Sequence, residues 1–178
     1  MTSEPPSANE SSPPLQAPQG LASGRFSGPS EFAQCLRDAL SQAAAQGWPW
    51  MVWSDPDFHD WPLGERLVVE QLNAWAHAGR HLRMLARRYD DVVRLHPRFV
   101  TWRQQWDHLI ECRVCSHVPG LELPSVLWAP DHAVLRMDLE RSIGWRGGER
   151  QRLVQIGAEV QECYQHGSVG FPATTLGL

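Results

Sequence analysis

Residues 32–58 read FAQCLRDALSQAAAQGWPWMVWSDPDF, and the order of patterns in this stretch decides the fold. Phe32, Leu36, Ala39, Leu40 and Ala43 recur at helical spacing behind Ser27, Pro29 and Ser30, and Gly47 stops the run. Pro49 to Ser54 then carries Trp50, Met51, Val52 and Trp53, a short apolar run of the length and composition of a buried strand. The strand ends on Asp55. A helix that feeds a fully apolar strand is the building unit of a layered α/β domain with a partly parallel sheet.

The next stretch repeats the unit. Asp60, Trp61 and Pro62 open a second helix, with Leu63, Leu67, Leu72, Trp75 and Ala76 on one face and Gly79 as its stop; Leu82 to Ala86 follows as a strand. Residues 90–108 read as shorter helical pieces broken by Pro97, and Leu109 to Val114 as a third strand or a helix end. Val126 to Trp128 and Ala133 to Met137 form a hairpin around Pro130 and Asp131. A last helix spans about Glu149 to Gln165, with Leu153, Ile156, Val160 and Tyr164 as its stripe. Gly144, Gly147 and Gly148 around Trp145 read as a permissive loop, and Phe171 and Leu176 of the final segment are free to tuck into the body. Residues 1–27, rich in Pro and Ser, are expected to be a disordered tail, leaving 28–178 as a single α/β domain.

Composition narrows the chemistry. All sixteen basic residues are arginine, so no P-loop lysine, Schiff base or ammonium nucleophile is available. A formal net charge of −4 argues against nucleic acid as a partner. No apolar run is long enough to span a bilayer, and the N-terminus lacks the layout of a signal peptide. Four cysteines then read as reduced thiols, and a cytoplasmic location is expected. The nine tryptophans fill a core or line an interface.

Three groups of residues carry candidate chemistry. Asp55, Asp57, His59 and Asp60 crowd the turn after the first strand, where carboxylates and an imidazole could hold Mg²⁺ or Mn²⁺; the plainer reading is a polar turn in which Asp55 caps the loop and Asp60 the next helix. With Asp131 added, the cluster suggests a metal-assisted phosphoesterase. Asp55-Pro56-Asp57 also has the spacing of an aspartyl phosphotransferase, which would want a lysine this chain lacks. Cys112, Cys115 and His117 form C-x-x-C-x-H, three of the four ligands zinc takes, against the plainer reading of two thiols along a strand. Arg83, Arg87, Arg88, Arg98 and Arg103 with Trp102 could make a phosphate-binding or base-stacking surface, against solvated arginines paired with the acidic residues. Phe99, Trp102, Arg103 and Trp106 would share one helix face, a stripe that is more often core.

The order helix, strand ending in aspartate, helix, strand, irregular helical piece, strand pair and long helix resembles one half of a phospholipase D-like fold. It is carried by FAQCLRDALSQAAAQGWPWMVWSDPDF and VVEQLNAWAHAGRHLRMLARRYDDV and covers most of residues 30–165. That family's chemistry rests on His-x-Lys-x4-Asp, the histidine attacking phosphorus and the lysine holding phosphate oxygens. The best register is PSVLWAPD, residues 124–131, with Asp131 at the aspartate position, Pro124 at the histidine position and Val126 at the lysine position. The resemblance therefore implies a degenerate, non-catalytic member acting as a binding or interaction module. It also implies a homodimer or other protein partner, since single halves pair to make a site, and it implies no cofactor. DPDFHDWPLGE, HPRFVTWRQQW and PATTLGL are similar to a proteobacterial domain family of the same architecture, which implies a bacterial source and brings no known activity.

Overall fold

A computed structural model describes residues 21–117 and 119–173. The first twenty residues of the expected tail, and Leu176, lie outside the described residues.

The chain begins with strand β1 (Gly24–Ser27) and helix α1 (Pro29–Gln46). It continues through β2 (Trp50–Ser54), a 3₁₀ turn at Pro62–Gly64, α2 (Arg66–Trp75) and β3 (His81–Ala86). Then come α3 (Asp90–Leu95), α4 (Pro97–Gln105), a second 3₁₀ turn at Asp107–Leu109, β4 (Ile110–Val114), β5 (Ser125–Ala129), β6 (His132–Asp138) and β7 (Ile143–Gly147). Helix α5 (Arg150–His166) and the short β8 (Ser168–Val169) complete it. One mixed sheet of eight strands runs β1-β7-β6-β5-β2-β3-β4-β8. Strands β2, β3 and β4 are parallel, and the hairpin arm β5-β6-β7-β1 is antiparallel to its neighbours throughout. The expected α/β layering with a partly parallel sheet is what the chain forms.

Strand alternation divides the core between the two faces of the sheet. Met51, Trp53, Leu82, Met84, Ile110, Cys112, Leu127 and Val134 pack with α1, α2 and α4. Val52, Leu85, Cys115, Val126, Ala133 and Trp145 pack under Leu153, Ile156, Val160 and Cys163 of α5. Tryptophan serves mainly as core. Trp53, Trp61 and Trp75 are fully buried, and the Trp75 indole donates to the Trp48 carbonyl at 2.7 Å, tying α2 to the entry of β2.

Several expectations need correction. The folded unit starts before Gly28, because β1 pairs with β7 and buries Phe26. The permissive loop around Trp145 is strand β7. The second helix starts at Arg66 rather than at Pro62; Leu63 belongs to the preceding turn, and Leu67 points to solvent, 54% exposed, while Val68, Leu72 and Trp75 face the core. Among the described residues no helix is long and apolar enough to cross a membrane.

Candidate functional site

The carboxyl end of β2 builds a polar cleft of about 210 Å³ lined by Asp55, Pro56, Asp57, His59, Asp60 and Arg136. Asp55 organises it. Its Oδ1 accepts the backbone N–H groups of Asp57 (3.1 Å) and Phe58 (2.8 Å), a turn that holds Phe58 at φ 57°. Its Oδ2 accepts the Trp61 indole (3.1 Å), the Ser125 hydroxyl (2.5 Å) and the Arg136 guanidinium (2.8 Å). The pair is shut away from water, with the Asp55 side chain 1% and the Arg136 side chain 4% exposed. Arg136 also donates to Ser125 (3.1 Å) and pairs with Asp60, and its guanidinium lies 4.3 Å from the Phe32 ring. Around this core Asp57 accepts the His59 N–H and pairs with Arg88 at 3.2 Å.

This arrangement commits the Asp55 carboxylate. Both Asp55 oxygens are consumed by internal donors, so the loop-capping reading of Asp55 holds and the phosphotransferase reading does not. Asp60 pairs with Arg136 instead of capping a helix. Asp131 does not join the cluster. It sits in the β5–β6 turn, beside Trp48 and His132, at the far end of β5 from Ser125, a separation of roughly 15 Å at the rise of an extended strand. Among the described residues no group of three His, Cys, Asp or Glu side chains is arranged to hold a metal ion.

The zinc reading of Cys112, Cys115 and His117 fails on parity. Residues three apart in extended chain point to opposite faces, so Cys112 packs beneath α4 and Cys115 beneath α5, while His117 is exposed. Burial raises both thiols above their ordinary range, further from the thiolate a metal needs.

The arginine set also disperses. Arg83 stands half-exposed on β3, stacked 4.3 Å from the Tyr164 ring. Arg87 donates to the Cys115 carbonyl at the other end of that strand, and Arg98 to the Gly64 carbonyl on the helical face. Trp102 and Arg103 are core; Arg103 donates to the Cys112 sulfur (3.3 Å) and the Phe171 carbonyl and packs on the Phe171 ring. The sequence reading missed Arg136 altogether. The signal was there: in HAVLRMD the alternation that buries Val134 also buries Arg136, and an inward arginine requires a carboxylate partner.

No family model matches this chain, and no curated protein does. Solved structures do. Over 84% of this chain the fold is similar to TrmBL2, an archaeal chromatin protein whose structure shows a novel mode of DNA binding, at a TM-score of 0.59 and 10% identity. This chain spans 55% of the TrmBL2 chain's length. It is also similar to NucT from Helicobacter pylori, at a TM-score of 0.54 and 10% identity, covering 84% of this chain and 99% of that one. Likeness at this identity establishes the fold. It overturns the expectation that net charge removes nucleic acid as a partner, because a chain of the same fold is a DNA-binding protein. A net charge averages over the whole surface, and binding depends on where the cations stand.

Proposed function

We propose that this chain is a non-catalytic phospholipase D-like half-domain that binds nucleic acid without cleaving it. The observation that carries the reading is the closed Asp55–Arg136–Ser125 network at the carboxyl end of β2. Ligands of open α/β sheets sit at that end of the strands, and here the cation that would meet a phosphate is already neutralised by two carboxylates. Pro124, at the register position of the family's nucleophilic histidine, stands next to Ser125 of that same network and has no group to attack phosphorus. The DNA binding of TrmBL2 supports nucleic acid as the ligand class.

The test is to mix the full chain with end-labelled single-stranded and duplex oligonucleotides at low salt, with Mg²⁺ and with chelator. The expected outcome is a rise in fluorescence anisotropy with the oligonucleotide recovered at full length. Shortened product in either buffer overturns the non-catalytic reading, and flat anisotropy overturns the ligand class.

A further inference from the structure

A second feature lies at the opposite pole of the sheet. A cleft of about 500 Å³ opens at the amino ends of β2, β3 and β4, lined by Trp50, His81, Arg83, His108, Ile110 and Glu111 among others. We infer that this cleft is a binding site for an unpaired nucleotide unit of single-stranded nucleic acid, with Trp50 as the platform for the base and Arg83 as the phosphate cation. The inference rests on the nucleic-acid reading above and gives it a place on the molecule.

The aromatic part comes from Trp50, the first residue of β2, half-buried on the face that α5 covers incompletely. Its ring meets Trp128 edge to face at 4.8 Å, and the Trp128 indole is anchored by a 2.8 Å bond to the Leu153 carbonyl, so the platform is backed by a fixed neighbour. An indole held rigid with part of its surface on a cleft stacks bases without regard to sequence.

Arg83 shares the cleft with the Glu111 carboxylate. That carboxylate is bonded to the Arg113 guanidinium (2.9 Å) and the Tyr164 hydroxyl (2.9 Å), which leaves Arg83 in looser contact at 3.6 Å. Arg83 therefore retains donors for a phosphate while its stack on Tyr164 fixes the plane of the guanidinium. His81 and His108 stand exposed on the rim as further donors. A strand also has a way out. The short β8 pairs with β4 at Arg113 and Val114, so among the described residues Ile110 and Glu111 have a strand, β3, on one side only and the cleft opens past the sheet edge.

The experiment measures anisotropy of a labelled single-stranded oligonucleotide of about 20 nucleotides at about 50 mM salt, for the full chain and four variants whose melting curves are recorded alongside. Trp50→Leu is expected to weaken binding about tenfold, the loss of one stacked base, and Trp50→Phe to retain most of it. Arg83→Gln is expected to weaken binding several-fold. Arg98→Gln, on the helical face, is expected to bind as the unaltered chain does. Trp50→Leu and Arg83→Gln variants that melt normally and bind unchanged overturn the assignment of the cleft while leaving the nucleic-acid reading in place. A duplex of the same sequence bound as tightly as the single strand overturns the stacked-base mode, and a free mononucleotide bound as tightly as the strand reassigns the cleft to small nucleotides. If the unaltered chain binds none of these ligands, the nucleic-acid reading itself falls.

Discussion

One carboxylate, Asp55, accepts five hydrogen bonds, two from the turn that follows it and three from Trp61, Ser125 and Arg136. Removing it leaves the buried Arg136 guanidinium with Asp60 as its one remaining carboxylate partner, a loss of up to about 3–5 kcal/mol. Asp55→Ala is expected to lose stability on that scale in urea unfolding, and Asp55→Asn less, because the amide oxygen can still accept the turn. The double variant Asp55→Leu/Arg136→Met removes both charges and is expected to recover part of the Asp55→Ala loss. An Asp55→Ala chain within about 1 kcal/mol of the original would refute the network's structural role. His132 makes a second prediction at this scale. Burial first, and Arg146 second, push its pKa down to about 4. The folded chain thus resists a proton that the unfolded chain accepts near pH 6.5, so stability falls as pH drops through the window from about 6.5 to about 4, by something on the order of 3 kcal/mol in all. Urea midpoints at neutral pH and at about pH 5 check the sign: His132→Gln should flatten the decline that the unaltered chain shows.

Strand β7 shows why an element can be invisible in sequence yet fixed in structure. IGWRG carries two glycines, which weaken a strand on propensity alone and invite the reading of a loop. Gly144 is required by its neighbour: it pairs directly with Phe26 of β1, and an added Cβ would run into the Phe26 ring, with Cε1 at 2.8 Å, and into the Leu135 carbonyl. The aromatic ring covers the backbone that the glycine leaves bare, so both halves of the device lie in segments whose local patterns suggest nothing. Gly144→Ala is expected to separate β1 from β7 or displace β6, costing about 1–3 kcal/mol, with hydrogen exchange speeding up first in β1. Protection unchanged in β1 would mean that the strand is held by something other than this contact. The α/β units were legible for the opposite reason. Helices α1 and α5 and strands β2 to β6 carry their own periodicity, and Phe171 tucks in as an aromatic near the chain end should, stacked on Tyr89 at 4.7 Å.

At the scale of the molecule, the two poles of the sheet differ in what each leaves free. The carboxyl pole was legible in sequence as a crowd of aspartates, but its meaning turns on Arg136, which arrives from β6, 81 residues away, and converts a metal-like cluster into a closed ion-pair network. The amino pole was not legible as a site, because Trp50, Arg83 and His108 sit in three separate elements and only the parallel register of β2, β3 and β4 gathers them. The same geometry limits the electrostatics of binding. Among the described residues nine of the sixteen arginines stand in ion pairs: Arg37 with Glu65, Arg66 with Glu70, Arg83 and Arg113 with Glu111, Arg88 with Asp57 and Asp91, Arg94 with Asp91, Arg136 with Asp55 and Asp60, Arg141 with Asp138, and Arg146 with Asp38. A nucleic-acid site centred on Arg83 then neutralises about two phosphates rather than a long backbone tract, which sets a slope of roughly −1.4 in a plot of log affinity against log salt. Raising salt from about 50 to about 200 mM should weaken single-strand binding only about sevenfold, most of the affinity coming from the stacked base. A slope steeper than about −4 would require a broader basic surface than the one arginine that lines this cleft.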